Sequence, residues 1–201
     1  MKAQTVHSQC VAIARQINDN LARAIVAAGP LPLAPRQDVP FPVRLCRAVA
    51  GQQLSVKAAQ SIWARVLAQA AGQPLMDYFT AASPETLRSC GLSKAKAKAM
   101  GEIALAHRTH QIDAATLGNL DHKQRTQQLT KIWGVGPWTA DMVGIFYFGD
   151  PDIWPDGDAT ACKCLATLTN NQTTISTAAH FAPYRSYLAL YMWHQADAPI
   201  I

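Results

Sequence analysis

Apolar residues recur every three or four positions through most of this chain, a period that fits helices and little else. Between residues 10 and 26, Val11, Ile13, Ala14, Ile17, Leu21 and Ile25 fall on one face, which predicts a single helix there. Gly29-Pro30 stops it, and Pro32, Pro35, Pro40 and Pro42 stiffen the connector that follows. A second helix is expected over about 42–51. Ser55 is placed to cap a long one reaching about residue 71. Ser83-Pro84-Glu85-Thr86 joins an N-cap residue to proline at the first helical position, opening a short helix that ends at Gly91. Ser93 caps the next, over about 94–110, and further helices are expected at 121–132, 138–148, 159–167 and 183–195. Alternation of period two over strand length is almost absent. The expected fold class is all-α.

With 201 residues, 49% of them hydrophobic, the chain can bury a core as one domain or as two intimate lobes. The formal net charge of +5 favours polyanionic partners, although Asp and Glu still number thirteen. Five scattered cysteines, an odd count, imply a reducing, cytoplasmic setting. Met1 to Arg15 lacks the apolar centre of a signal peptide, and no apolar run approaches the roughly 20 residues of a membrane helix. A cytoplasmic monomer with no membrane partner is the expectation.

Two glycines, Gly134 and Gly136, bracket Val135 between a polar helical segment and a helix opened by Pro137. Glycine permits positive φ and leaves no Cβ to hold a ligand away, so N–H groups of such a turn can converge on a phosphate. The same pair also suits two helices that simply pack closely. Of Lys94, Lys96 and Lys98, only Lys94 and Lys98 lie one turn apart, since a spacing of two rotates about 200°. Those two can face a phosphate or merely solvent.

Ile132-Trp133-Gly134-Val135-Gly136-Pro137-Trp138-Thr139-Ala140 resembles the hairpin signature of the helix-hairpin-helix (HhH-GPD) DNA glycosylase superfamily. Trp154-Pro155-Asp156-Gly157-Asp158-Ala159 is similar to the segment that carries that superfamily's catalytic aspartate. The stretch from Arg44 through Gly51-Gln52-Gln53-Leu54-Ser55 to Ala59 resembles the DNA-3-methyladenine glycosylase II branch. So do Cys90-Gly91-Leu92-Ser93-Lys94 and Pro183-Tyr184-Arg185-Ser186 with Trp193. The likeness runs from about residue 43 to 196 in the correct order.

The resemblance implies two closely packed helical lobes with the active-site cleft between them. It divides a single unit, 1–201, into an N-terminal helix and proline-rich connector (1–41), a helical barrel lobe (42–132), the helix-hairpin-helix (129–140) and C-terminal helices (141–201). The branch often carries an N-terminal β-rich domain, for which this chain is too short. The implied activity is a monofunctional one: hydrolysis of the N-glycosidic bond of alkylated purines (3-methyladenine, 7-methylguanine) in damaged double-stranded DNA, leaving an abasic site. Bifunctional relatives place a nucleophilic lysine two residues after the second hairpin glycine, where this sequence has Trp138. Two alternatives remain open, a non-catalytic DNA-binding module and a glycosylase for oxidised or mismatched bases.

Asp158 is the implied catalytic carboxylate, stabilising positive charge on the sugar as the base leaves, although it would also cap the helix that follows. Asp156 is its competitor. Trp138, Trp193 and Met142 are the implied base-pocket residues, indoles being suited to cationic purines, while each Trp equally suits a core. Trp63 reads as structural. Gly134, Val135, Gly136, Trp138, Thr139, Gln52, Gln53 and Ser55 are the implied DNA-binding set. Gln53 would be the wedge that fills the gap of a flipped base, or else a solvent-facing turn residue. No cofactor is required and no iron–sulfur cluster is expected, since no cysteine follows Cys164. Cys162-x-Cys164 lacks zinc spacing. Carbonyls of Thr130, Ile132 and Val135 could hold Na⁺ or K⁺ at the hairpin.

Overall fold

A computed structural model describes residues 3–196, and among these every regular element is helical. The first helices are α1 (Ala3–Ile17), α2 (Asp19–Ala28), α3 (Phe41–Gly51) and α4 (Val56–Ala70). They are followed by α5 (Leu75–Ala81), α6 (Pro84–Ser89), α7 (Lys94–Arg108) and α8 (Ala114–Gly118). Next come α9 (His122–Leu129), α10 (Pro137–Val143), a π-helical turn (Gly144–Phe148), α11 (Ala159–Leu168), α12 (Thr174–Ala179) and α13 (Arg185–Gln195). Among the described residues no helix is long and apolar enough to cross a membrane.

The caps read from the sequence do the local work. Ser55, Ser83 and Ser93 each accept a hydrogen bond from the N–H three residues on, at 3.3, 3.2 and 3.2 Å. Each satisfies a first-turn donor that has no intrahelical partner. Asp121 does so with a reciprocal bond from Gln124, completing a capping box for α9.

Two expected elements differ. The single helix over 10–26 is two helices, because Asn18 leaves helical geometry (φ −163°, ψ 133°) and caps α2 with its side chain. Asparagine competes for backbone N–H groups and so starts a helix more readily than it continues one. The helix expected over 138–148 is α-helical only to Val143 and then widens into the π turn. The short helices α5, α8 and α12 carry too few turns to show a period in sequence.

The chain forms two compact units: residues up to Pro35 together with those from Gly144 onward, and Arg36–Val143. In the first, Ser186 to Trp193 of α13 are all buried. A helix apolar on every side becomes the centre of its unit. Around it stand Val6, Cys10 and Ala14 of α1, Leu21 and Ile25 of α2, Ile145 and Leu165. In the second unit, Leu45 and Val49 of α3 share a core with Val66, Phe79, Leu87, Met100, Ile103 and Leu129. Trp63 belongs here, buried with its ring 6.4 Å from that of Phe79. This unit carries the hairpin, and the first carries Asp158.

Candidate active site

The hairpin is built from the end of α9. Helix bonding ends at Thr130 (φ −72°, ψ −7°), after which Ile132 N–H bonds the Leu129 carbonyl and Val135 N–H the Ile132 carbonyl, both at 3.1 Å. α10 then opens with Ala140 N–H donating to Gly136 O at 3.1 Å. His122 Nε2 lies 2.9 Å from Asp141 Oδ1 and ties the two helices of the hairpin together.

The two glycines have different reasons to be there. Gly134 has φ +87°, and a Cβ on it would sit 2.6 Å from Ala99 Cβ of α7. The fold itself demands glycine at that position. Gly136 has no positive φ, and a Cβ there would meet nothing within 4 Å. Of the two, only Gly134 uses the positive φ that glycine permits. Nothing inside the protein requires Gly136.

The turn after α3 is fastened to the hairpin from below. Gln52 Nε2 donates to Thr139 Oγ1 at 2.8 Å and to Gly134 O at 3.2 Å. A carbonyl can only accept, so Gln52 must present its nitrogen there. Lys96 Nζ donates to Ala50 O at 2.9 Å and Gln52 O at 2.7 Å, capping α3. Burial pulls the Lys96 ammonium below the ordinary lysine range. Thr139 is 1% exposed and shapes the surface from within, whereas Ser55 is exposed and its hydroxyl caps α4. Gln53 stands exposed at the tip with φ +56°, beside half-exposed Leu54. Trp138 is half-buried, and Met142 and Val135 are buried.

In the other unit, Asp158 precedes α11 with extended backbone (φ −88°, ψ 105°). Its Oδ1 accepts from Ala161 N–H at 2.8 Å and from the indole Nε1–H of Trp193 at 3.0 Å. The cap and the indole together fix the carboxylate's orientation. Trp193 is only 6% exposed and lies against Phe146, ring centroids 5.6 Å apart. It thus serves Asp158 through its N–H, a role that its sequence position does not reveal. Asp156 is exposed, so the half-buried, doubly held Asp158 is the better-organised carboxylate.

The loop before Asp158 is held by the start of the same helix. Arg185 Nε and an Nη donate to the two oxygens of Asp152 at 2.7 and 2.9 Å. Ser186 Oγ donates to Asp150 O at 2.7 Å and accepts from Ile153 N–H at 2.9 Å. α13 therefore grips this loop at Arg185, Ser186 and Trp193.

Residues 46–182 match the HhH-GPD superfamily base excision DNA repair protein family. The chain belongs to that family. Among its relatives is the "Probable bifunctional transcriptional activator/DNA repair enzyme AlkA" of Mycobacterium tuberculosis, 30% identical over 195 residues, 89% of this chain. The chain spans only 38% of that relative's length. DNA-3-methyladenine glycosylase 1 of Schizosaccharomyces pombe is 30% identical over 158 residues, 74% of this chain and 69% of that protein. In fold, the chain resembles the S. pombe 3-methyladenine DNA glycosylase Mag1, solved in complex with abasic DNA. That likeness has a TM-score of 0.81 at 24% identity and covers 96% of this chain and 98% of that one.

Hydrogen bonds from the Arg185 guanidinium, opposed by burial, hold the Asp152 carboxyl of this HhH-GPD protein below the usual carboxylate range. A depressed folded-state pKa adds stability that is present above the unfolded value of about 3.9 and lost as pH falls through the folded one. Melting temperature measured from pH 6 down to the acid limit should therefore fall more steeply below about pH 4 for the wild type than for Asp152→Asn.

The indole bond to Asp158 has its own test. Trp193→Phe keeps a ring against Phe146 and removes only the N–H donor. If Asp158 assists base release, the single-turnover rate should slow by about 10-fold, consistent with about 1.5 kcal/mol for a hydrogen bond to a charged group. Duplex affinity should stay unchanged.

Proposed function

We propose that this chain is a monofunctional DNA glycosylase that hydrolyses the N-glycosidic bond of alkylated purines in duplex DNA. The observation that carries the reading is the Asp158 carboxylate, half-buried at a helix start and aimed by the Ala161 and Trp193 donors. Such a group suits a reaction in which a sugar carbon becomes cationic. The names of the matched relatives support 3-methyladenine-type substrates, and the Mag1 complex supports DNA as partner.

In the proposed reaction the bond from C1′ to the purine nitrogen breaks, and its electron pair leaves with the base. An alkylated purine carries a positive charge, so it departs neutral. The sugar is left oxocarbenium-like, with Asp158 compensating its charge. Water adds at C1′ and gives up a proton. Trp138 offers an indole face to the cationic purine by stacking and cation–π attraction. Its identity also removes the amine that a Schiff-base lyase step would use. The hairpin holds a backbone phosphate through N–H groups, a contact blind to sequence. Gln53, exposed at the tip of the turn after α3, enters the stack where the base leaves.

A hairpin cation is consistent with the donors present. Helix ends leave carbonyls without intrahelical partners, and Ile132 O accepts one bond from Val135 while keeping a second lone pair. Neutral carbonyls of Thr130, Ile132 and Val135 suit Na⁺ or K⁺ better than a divalent ion. A cation bound there would add positive field near the phosphate. Among the described residues no His, Cys, Asp or Glu cluster forms a metal site.

A duplex with a single 7-methylguanine tests the reaction type. The lesion strand should break only after mild alkali that leaves an enzyme-free duplex intact, and borohydride should trap no protein–DNA adduct. A break without alkali, or a trapped adduct, would refute the monofunctional route. Tight duplex binding without any lesion processing would point to a binding module.

A further inference from the structure

Trp133 lies outside the core. It is 45% exposed, and among the described residues it is the one exposed Phe, Tyr or Trp. Its ring is not loose on the surface, because Lys98 Nζ of α7 sits 4.3 Å from the ring centroid. That distance gives a cation–π contact. The neighbours of both residues are pressed together: Gly134 follows Trp133, Ala99 follows Lys98, and a Cβ on Gly134 would lie 2.6 Å from Ala99 Cβ. The approach of the hairpin to α7 therefore sets the ammonium against the indole in advance. Among the described residues no carboxylate lies within ion-pair distance of Lys98. Lys94, one turn earlier on α7, and Lys131, two residues before Trp133, are exposed too. An apolar ring left in water inside a basic patch, with a cation already seated on it, points to a ligand that is both apolar and anionic.

We infer that Trp133 and Lys98 form a second backbone contact for duplex DNA, beside the phosphate held at the hairpin. The ring packs on a deoxyribose, and the Lys98 ammonium neutralises the adjoining phosphate. Sugar and phosphate fit this pair better than a base, because a base in duplex DNA is covered by its stacking neighbours. The contact is independent of sequence and lengthens the grip on one strand. It rests on the hairpin acting as the phosphate site.

Anisotropy of a fluorescein-labelled duplex carrying a tetrahydrofuran abasic analogue, titrated with the full chain from about 50 to 200 mM salt, tests it. Lys98→Ala should weaken binding by about 3- to 10-fold and reduce the slope of log K against log salt by about one. Trp133→Ala should weaken binding by about 5-fold with the slope unchanged, since it removes no charge. Trp133→Phe should recover part of that loss. Both alanine variants should melt like the wild type. Wild-type affinity and slope in either alanine variant would overturn the inference. So would a Trp133→Ala defect confined to single-stranded DNA, which would assign the ring to an unpaired base. Failure of the wild type to release any base would overturn the glycosylase reading alone, because these titrations measure binding without chemistry.

Discussion

Asp158→Asn is expected to lower the single-turnover rate of base release by about 10²–10³-fold, the effect of losing one preorganised charge-stabilising group. The substitution is chosen because asparagine caps helices about as well as aspartate. Its amide oxygen can still accept from Ala161 N–H and from the Trp193 indole, the two bonds that hold Oδ1 in the wild type. Loop and helix should keep their places, and the melting temperature should move little. What disappears is the negative charge that the proposed reaction uses against the developing sugar cation. Affinity for an abasic-analogue duplex should remain within a few fold of wild type. Loss of binding together with loss of activity would show that Asp158 acts through the fold and not through its charge.

Gly136→Ala is expected to weaken duplex binding by about 10- to 100-fold, the equivalent of losing a charge-assisted hydrogen bond of about 1.5–3 kcal/mol. The fold gives no reason for it to unfold anything, since a Cβ there meets nothing within 4 Å and φ is not positive. In the proposed function, the space that Gly136 leaves open admits a backbone phosphate. Gly134→Ala supplies the contrast. It forces an alanine to φ +87° and drives its Cβ to 2.6 Å from that of Ala99. Strain and overpacking together should cost about 2–4 kcal/mol. Thermal melts with duplex titrations separate the pair: one variant should be stable and poor at binding, the other unstable. If Gly136→Ala binds like the wild type, the phosphate is not held at the hairpin.

Much of the scaffold could be read from residue order alone, because capping is local. Ser55, Ser83 and Ser93 announce helices that begin where they stand, and Asp158 caps α11 as its position implies. Asn18-Asp19-Asn20 carried the signal for the break between α1 and α2, but the continuous apolar period on either side masked it. Long-range roles were less legible. Nothing local shows that Trp193 donates to a carboxylate 35 residues earlier. Nor does the spacing of Gln52 show that its amide fastens the turn after α3 to Gly134 and Thr139. Lys96 is an intermediate case. Its rotation away from Lys94 and Lys98 already directs it elsewhere, and the structure gives the destination as the carbonyls at the end of α3. Sequence alone also treats Gly134 and Gly136 alike, and the positive φ of Gly134 with the position of Ala99 separates a glycine the fold needs from one it does not.

Duplex DNA treated with a methylating agent, incubated with the purified chain and assayed by chromatography for free purines, tests the central claim most directly. The account predicts release of 3-methyladenine or 7-methylguanine by the wild type and a residual trace from Asp158→Asn. Absence of methylpurine release by the wild type, or equal release by the two proteins, would contradict it.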